Sequence, residues 1–258
     1  MESPYKEFVN FANSIADEAS KVSMDYFRTT LDINDKEDMS PVTVADKNIE
    51  LKIRELINET YPTHGILGEE FDQINSNAEF VWVIDPIDGT RSFIAGHKDF
   101  GNLIALLHNN NPVIGIINCP AHKERWVGIK NEVTTCNGEK VTTSKENKLE
   151  NSYLFTSGIY FDEPILKNGY ELIKNKVRYY RLGGDCYMYG MLTSGLIDIV
   201  VEDTLKVHDY MALINVIEGA GGKITDKFGK DITINSDGSV IASCNENIQK
   251  QLINLING

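Results

Sequence analysis

The sequence predicts an α+β fold with an antiparallel-rich first lobe and an α/β second lobe, packed together as layers. Before about residue 150, short apolar runs typical of strands follow one another along the chain. After that point, such runs alternate with amphipathic segments typical of helices. We therefore expect one lobe over residues 1–150 and a second over residues 151–258. A chain of 258 residues is long enough to bury a sizeable core in this arrangement.

The N-terminal segments have the features of two helices. Ser3-Pro4 predicts a cap followed by proline at the first helical position, and apolar residues from Phe8 to Tyr26 then recur at three- and four-residue steps. A second helix is expected from about Thr43 to Glu59. Thr43 would cap it, which places Asp46 in its first turn.

The remaining elements follow from short apolar runs and turn residues. Strands are expected at 65–67, 80–84, 103–107, 113–117, 125–129, 153–156, 177–181, 197–201 and 240–244. Helices are expected at 163–175, 185–194, 207–219 and 247–256. The segments 109–112 and 137–138 predict tight reversals between strands.

Charge and composition exclude several classes of partner. The net charge of −13 would repel nucleic acid and anionic membrane surfaces, so we expect neither as a partner. It would also repel a phosphorylated substrate unless cations neutralise the site locally. The sequence contains neither a secretory signal nor an apolar stretch of the roughly 20 residues that a membrane helix needs, which favours a cytoplasmic protein. The four scattered cysteines indicate reduced thiols rather than a zinc site or a disulfide framework.

The segment Asp85-Pro86-Ile87-Asp88-Gly89-Thr90 has the strongest indication of chemistry. An apolar strand leads directly into two acids, and the proline and glycine shape the turn that carries them. This arrangement can direct two carboxylates and the carbonyl of Ile87 at one point, and hard divalent cations prefer such oxygen ligands. If a helix begins after Gly89, its N–H groups would also face an anion such as phosphate.

Other acids have ordinary structural explanations when they are taken singly. Glu69 and Glu70 follow the strand at 65–67, where adjacent acids are usually solvated. If that strand neighbours the one at 80–84, however, the two strand ends would meet. Asp46 and Asp209 lie at expected helix starts, where the helix dipole favours acids. His208 alone is more typical of a packed or capping residue than of a base.

With these segments in view, the chain resembles the inositol monophosphatase superfamily of metal-dependent phosphatases over nearly its whole length. The matching segments occur in the family's order at 66–70, 85–90, 209–212 and 218–222. Within the superfamily it is most similar to the histidinol-phosphate phosphatase subgroup, through segments 40–46, 64–71, 124–128, 185–187 and 209–213. His208 replaces the tryptophan usual in inositol phosphatases, whereas Gly184 and Val207 depart from the pattern expected of the subgroup.

The resemblance implies a layered αβαβα sandwich, a homodimer and two or three Mg²⁺ ions in each active site. The implied ligands of one Mg²⁺ are Glu69, Asp85 and the carbonyl of Ile87; those of a second are Asp85, Asp88 and Asp209. The implied catalytic residues are Asp46, Glu70 and Thr90. Glu70 would orient the ligands or a metal-bound water, and Thr90 with Asp46 would orient the water that attacks phosphorus.

The resemblance also implies a small phosphorylated metabolite as substrate, with L-histidinol phosphate as the specific expectation. The implied substrate-binding residues are Asp88, Gly89, Thr90, Arg181, Gly184, Asp185, Glu202 and Asp209. Histidinol phosphate carries an ammonium and an imidazole, so carboxylates outside the metal site, Asp185 and Glu202, are the candidates for recognising it. Asp185 could equally be a helix N-cap, and Arg181 could contact substrate or a neighbouring subunit.

Three alternatives stay open from the sequence. The chain could be an inositol-1-phosphate or other sugar-phosphate phosphatase of the same fold. It could be a non-catalytic relative that binds phosphorylated ligands, although every expected ligand acid is present. A calcium-binding module is a weaker alternative, because residues 85–90 lack the ligand spacing of a Ca²⁺ loop.

Overall fold

A computed structural model describes residues 4–30, 33–35 and 41–258. Its helices are α1 Lys6–Tyr26, α2 Val44–Thr60, α3 Thr90–Ile94, α4 Pro164–Lys174, α5 Asp185–Thr193, α6 Val207–Gly219 and α7 Glu246–Asn257, with a 3₁₀ turn at Leu149–Asn151. Its strands are β1 Ile33–Asp35, β2 Pro41–Thr43, β3 Gly65–Gly68, β4 Phe80–Asp88, β5 Gly101–His108, β6 Asn111–Cys119, β7 Glu124–Ile129, β8 Thr135–Cys136, β9 Glu139–Lys140, β10 Tyr153–Thr156, β11 Tyr179–Leu182, β12 Ile199–Glu202, β13 Lys223–Thr225 and β14 Val240–Ser243.

Most of these strands form two sheets of different character. The larger sheet has seven strands in the order β3-β4-β5-β6-β7-β8-β9, and all neighbours except the parallel pair β3–β4 are antiparallel. The smaller sheet has five strands in the order β11-β10-β12-β14-β13 and mixes parallel with antiparallel pairs. The predicted contrast between an antiparallel-rich first half and an α/β second half is therefore confirmed.

Three apolar cores bind the layers together. Helices α1 and α2 cover one face of the larger sheet, α5 and α6 lie between the two sheets, and α4 and α7 cover the outer face of the smaller sheet. Strand β4 is almost continuously apolar because both of its faces are buried. Trp82 and Ile84 face the core under α1 and α2, whereas Val81 and Val83 face the core that contains α5 and α6. This order of layers confirms the αβαβα sandwich. The division into lobes at residue 150 stays a prediction.

Helix α6 rests on the larger sheet at backbone contact. Gly115 and Gly128 are directly paired on strands β6 and β7. A side-chain carbon at Gly115 would lie 2.0 Å from the carbonyl oxygen of Ala212, and one at Gly128 would lie 2.3 Å from the carbonyl carbon of Asn215. These contacts leave no room for larger residues and fix the position of α6 above the sheet.

Of the two helix starts predicted near the N-terminus, that of α2 is confirmed and that of α1 is wrong. Thr43 caps α2 as predicted, and Asp46 completes the capping box. The predicted position of Pro4 is wrong, because α1 begins only at Lys6 with Tyr5 as its N-cap and Pro4 lies in the preceding turn. Proline suits a turn as well as a first helical residue, so its preference did not decide the boundary. The predicted cap Ser3 lies outside the described residues.

Both predicted reversals are confirmed as two-residue hairpin turns. Asn109 and Asn110 have φ of 49° and 62°, and Asn137 and Gly138 have φ of 50° and 86°. Strands β1, β2, β8, β9 and β13 were not assigned from the sequence, because elements of two or three residues are too short to show a periodic pattern. Helix α3 begins at Thr90, so the condition that a helix starts after Gly89 is met. None of the described helices has an apolar stretch long enough to cross a bilayer.

Candidate active site

The end of β3 lies beside the middle of β4, which brings two acidic segments together. The strands run parallel with Gly68 opposite Ile84, so Glu69 leaves β3 next to Asp85. The predicted segments 65–67 and 80–84 therefore do meet at their ends, although β4 continues beyond this point to Asp88. The carboxyl ends of parallel strands share one edge of a sheet, and side chains that follow them converge there.

Strand β4 is irregular where it carries the two aspartates. Asp85 pairs with Leu103 of β5 and Asp88 pairs with Gly101, so β4 contains one more residue than β5 across this interval. Such a bulge bends the strand and redirects its side chains. Pro86 lies within it and has no N–H to contribute to the sheet.

A buried amide supports the bulge from below. Asn102 Nδ2 donates to the Pro86 carbonyl at 2.6 Å and to Ser23 Oγ at 3.0 Å. Asn102 Oδ1 in turn accepts from Asn118 Nδ2 at 2.7 Å. Asn118 Oδ1 accepts from Arg125 Nε at 2.8 Å, so the chain of polar contacts runs outward to the guanidinium.

We expect Asn102→Ala to lower the free energy of unfolding by about 2–4 kcal/mol, because it leaves a cavity and removes partners from buried polar groups. Urea denaturation in EDTA would measure this change. Asn254→Ala, at an exposed position in α7, is the matched control and should stay within about 0.5 kcal/mol of the unmodified protein. An equally small change for Asn102→Ala would show that the amide does not support the bulge.

Three aspartates from two elements meet above the bulge. Asp85 and Asp88 come from β4 and Asp209 comes from the first turn of α6, and each offers a carboxylate oxygen within 4.8 Å of the others. The backbone N–H of Lys206 donates to Asp209 Oδ2 at 2.6 Å and holds that carboxylate at the helix start. Asp85 is only 2% exposed, and its Oδ1 has no hydrogen-bond partner among the described residues.

Burial and mutual repulsion make these acids difficult to ionise together. Burial raises the pKa of Asp85 well above its usual value, and the nearby charges of Glu69, Asp88 and Asp209 raise it further. Burial likewise raises the pKa of Asp88, with added repulsion from Asp185, Asp209 and Glu202. For Asp209 burial again raises the pKa, although His208 opposes the shift.

A divalent cation fits this donor set. Its charge would offset the repulsion among three carboxylates, and the unpartnered Oδ1 of Asp85 supplies a ligand that the protein otherwise leaves without a partner. All of the donors are oxygen atoms, as Mg²⁺ prefers. The structure thus brings together three of the five predicted metal ligands, Asp85, Asp88 and Asp209, in one compact cluster.

The other two predicted ligands and Glu70 border this cluster. Glu69 Oε1 lies 3.9 Å from His208 Nε2, which is itself 3.6 Å from Asp209 Oδ1. The carbonyl of Ile87 accepts from Thr90 Oγ1 at 3.1 Å. The backbone N–H of Glu70 donates to Oε2 of Glu50, a residue of α2, at 2.7 Å.

Asp46 and Thr90 face each other at a second side of the cluster. The backbone N–H and hydroxyl of Thr43 donate to Asp46 Oδ2 at 2.8 and 2.6 Å, which leaves Oδ1 3.5 Å from Thr90 Oγ1. Burial raises the pKa of Asp46, although the Thr43 contacts oppose the shift. Thr90 begins α3, and Gly89 precedes it with φ of 79°, a conformation that favours glycine.

A cavity of about 280 Å³ opens next to the cluster. Its walls include both carboxylates expected to recognise the alcohol part of a substrate, Asp185 and Glu202. Glu202 ends β12 and accepts from the Tyr189 hydroxyl at 2.7 Å and from the Ser157 hydroxyl. Burial raises the pKa of Glu202 to about 7, against the opposing effect of these donors.

Asp185 links this cavity to the aspartate cluster. It is the first residue of α5, whose N-cap is Gly184 with φ of 127°. The alternative that Asp185 caps the helix is therefore wrong. Its carboxylate instead accepts from Ser92 Oγ at 2.5 Å. The backbone N–H of Cys186 donates to Asp88 Oδ2 at 2.6 Å, so the start of α5 contacts the cluster directly.

Arg181, a predicted substrate-binding residue, does not line this cavity. It is exposed on the edge strand β11, and its guanidinium lies 5.9 Å from the centre of the Phe155 ring.

The sequence-based argument missed the polar residues that hold the site residues in place, above all Ser92, Ser157, Tyr189 and Asn102. No motif marks them, because they approach from distant parts of the chain.

The fold agrees with comparisons to known proteins. The model of the inositol monophosphatase family matches residues 5–257. The chain is 42% identical over 238 residues to the bifunctional phosphatase IMPL2, chloroplastic, of Arabidopsis thaliana, covering 92% of this chain and 69% of that protein. It is 35% identical over 238 residues to a histidinol-phosphatase of Chlorobaculum parvum, covering 91% and 92%. The solved structure of an inositol monophosphatase from Zymomonas mobilis superposes with a TM-score of 0.90 at 39% identity and covers all of both chains.

The family model, the curated relatives and the solved structure together place the chain in a class of phosphatases that share this layered fold. The chain belongs to the inositol monophosphatase family, a family of phosphatases, as the match over residues 5–257 shows.

Proposed function

We propose that this chain is a Mg²⁺-dependent phosphomonoesterase that hydrolyses L-histidinol phosphate to L-histidinol and phosphate. The observation that supports the substrate is the position of an acid-lined cavity next to the aspartate cluster. The cluster is suited to the phosphate and its cations, and the cavity is suited to the cationic alcohol that leaves.

In this proposal two or three Mg²⁺ ions would be held by Glu69, Asp85, the carbonyl of Ile87, Asp88 and Asp209. When bound, such ions neutralise the phosphate and lower the pKa of a coordinated water. Asp46 would accept a hydrogen bond from that water through Oδ1, the carboxylate oxygen that Thr43 does not occupy.

Residues at the start of α3 would orient the reacting groups. The hydroxyl of Thr90 lies between Asp46 and the Ile87 carbonyl, so it can fix the direction of the attacking water. The backbone N–H groups of Gly89 and Thr90 would donate to the phosphate. Glu70 would orient a metal-bound water, and the backbone N–H contact to Glu50 holds its main chain in place.

The charge of the cavity favours a cationic alcohol over a neutral polyol. Asp185, Glu202 and Asp203 line it, and Arg91 is the one basic side chain among the lining residues. An ammonium or imidazolium beside Glu202 would favour its ionised form and gain a charge-assisted hydrogen bond. Histidinol carries both groups, whereas inositol has only hydroxyls to offer these carboxylates.

An inositol-1-phosphate or other sugar-phosphate phosphatase is the second candidate. It is favoured by the solved inositol monophosphatase from Zymomonas mobilis, which resembles this chain over its whole length. The replacement of tryptophan by His208 next to Glu69 counts against it. The homodimer and the cytoplasmic location proposed for this chain rest on resemblance and composition.

A panel of phosphate esters tests the substrate. With Mg²⁺ present, we expect kcat/KM for L-histidinol phosphate to exceed that for myo-inositol 1-phosphate by at least about 10-fold, since one charged contact is worth about 1.4 kcal/mol or more. Glu202→Gln, which keeps the shape of the side chain, should reduce this ratio. Glu139→Gln, an exposed change on β9, should leave it unchanged.

The panel also separates the competing functions. Faster turnover of myo-inositol 1-phosphate would refute the histidinol proposal but keep the phosphatase. Absence of Mg²⁺-dependent hydrolysis for every ester, including p-nitrophenyl phosphate, would instead support a non-catalytic binding protein.

A further inference from the structure

We propose that Glu50 and Arg54 of α2 form a clamp that positions the Gly68-Glu69-Glu70 corner of the metal site. The proposal rests on the proposed function, because that function makes Glu69 a metal ligand and Glu70 an orienting residue. Within the part of the chain that the structure describes, neither Glu50 nor Arg54 hydrogen-bonds to the three aspartates of the cluster. Both would therefore be positioning residues.

The clamp is a buried ion pair, and its other hydrogen bonds go to the backbone of the corner and of the two residues that follow it. Glu50 is fully buried and Arg54 is 6% exposed. Glu50 Oε1 accepts from Arg54 Nε at 2.8 Å, and Glu50 Oε2 accepts from the backbone N–H of Glu70 at 2.7 Å. The guanidinium then donates to the carbonyls of Phe71 at 2.9 Å and Asp72 at 3.0 Å. The backbone of three successive residues, 70 to 72, is thus held by two side chains.

The corner packs onto the carboxylate at backbone distance. A side-chain carbon at Gly68 would lie 2.1 Å from Glu50 Oε1, so only glycine allows the strand end to approach so closely. The main chain is therefore held from two sides, by the hydrogen bond at Glu70 and by direct contact at Gly68.

Simple stabilisation does not explain such a pair. Removing two charges from water is costly, and well-packed apolar residues usually stabilise a protein as well or better. An apolar pair could not, however, accept the N–H of Glu70 or donate to the carbonyls of residues 71 and 72. The distinct effect of the ion pair is to set the direction in which this corner leaves β3.

Helix α2 gives the clamp a functional connection. Asp46 and Glu50 are four residues apart and therefore lie on the same face of the helix. Asp46 faces Thr90, and Glu50 faces the corner that carries Glu69 and Glu70. One rigid helix thus sets the spacing between the residue that would orient the attacking water and the residues that would hold the metal.

Glu50→Gln tests the clamp, because the amide would direct N–H groups toward Arg54 or toward the N–H of Glu70. Mn²⁺ binding is measured by the electron paramagnetic resonance signal of free Mn²⁺, and the half-saturating Mg²⁺ concentration is measured with a phosphate ester. We expect both the Kd for Mn²⁺ and the half-saturating Mg²⁺ concentration to rise about 10- to 100-fold, the usual effect of losing a residue that orients metal ligands. Arg54→Lys should raise them in the same direction, and the double variant should be no worse than the more impaired single variant.

The matched control is Glu55→Gln on the same helix. Glu55 is exposed and pairs with Lys52 at 2.7 Å, so its replacement should leave metal binding unchanged. If Glu50→Gln lowers Tm in EDTA but leaves Mn²⁺ binding at the level of the control, the pair is merely structural and the proposal is overturned.

The two proposals fail in different ways. If the unmodified protein binds Mn²⁺ but hydrolyses no ester, the proposed function fails, and the Mn²⁺ titration of Glu50→Gln still decides the clamp. If the unmodified protein binds no Mn²⁺, both proposals are overturned.

Discussion

Replacing Asp88 with asparagine is expected to reduce Mg²⁺-dependent hydrolysis by at least about 1,000-fold, or roughly 4 kcal/mol in the activation barrier. Asp88 lies at the centre of the acidic site, within reach of Asp85 and Asp209, and its pKa is raised by burial and then by Asp185, Asp209 and Glu202. Asparagine keeps an oxygen that can accept the N–H of Cys186, so the local structure should survive while the negative charge is lost. Steady-state kinetics across a Mg²⁺ titration would measure the effect.

The same substitution should stabilise the fold of the metal-free protein, although it lowers activity. A carboxyl group whose pKa is higher in the folded chain than in the unfolded chain destabilises the fold once the pH rises above the unfolded value. Asp88→Asn removes that cost, so we expect a higher Tm in EDTA at pH 7 and a smaller increase in Tm when Mg²⁺ is added. Asp25→Asn, at an exposed position of α1, should change neither quantity.

Two results would contradict this account. Near-normal Mg²⁺-dependent turnover of Asp88→Asn would place the metal site elsewhere. An unchanged increase in Tm with Mg²⁺ would show that the cation binds without this carboxylate.

Thr90→Val is expected to lower kcat about 100-fold, within the range found when a group that positions a proton in the transition state is removed. The hydroxyl lies 3.5 Å from Asp46 Oδ1 and 3.1 Å from the Ile87 carbonyl, and valine keeps the shape without either contact. Single-turnover measurements at saturating Mg²⁺ would report the loss at the chemical step.

The control for this prediction is Thr90→Ser, which restores the hydroxyl and should recover most of the activity. The half-saturating Mg²⁺ concentration should be similar in both variants, because the hydroxyl is not a proposed metal ligand. A valine variant with normal kcat and weakened Mg²⁺ dependence would reassign Thr90 from orienting water to supporting the metal site.

The sequence predicts the parts of the site whose chemistry is local. Residues 85–90 combine the end of an apolar strand, two acids, proline and glycine in one segment, and the structure shows the strand and the following helix there. The bulge between Asp85 and Asp88 was not predicted. Thr43 and Asp46 were likewise predictable as a helix start, because capping depends on residues three apart. The meeting of Glu69 with Asp85 required only that two successive strands be neighbours.

Contacts between distant segments could not be predicted in this way. Asn102, Ser157 and Tyr189 are ordinary polar residues in the sequence, and only the fold places them against Pro86 or Glu202. Arg181 illustrates the reverse case: its place in a strand was predicted, but the edge position of that strand was not. Strand order depends on the packing of whole layers, which a local pattern does not encode.

Helix α6 contacts Gly115 and Gly128 directly, and this contact makes the spacing of the metal-site acids independent of how large the core side chains are. Because the helix meets the sheet through main-chain atoms, the height of Asp209 above Asp85 is set by peptide geometry and not by the sizes of neighbouring apolar side chains. Substitutions that conserve the volume of those side chains should therefore leave the spacing of the cation site unchanged. A single methyl group added at either glycine would push α6 away from the sheet and increase the distance between Asp209 and Asp85.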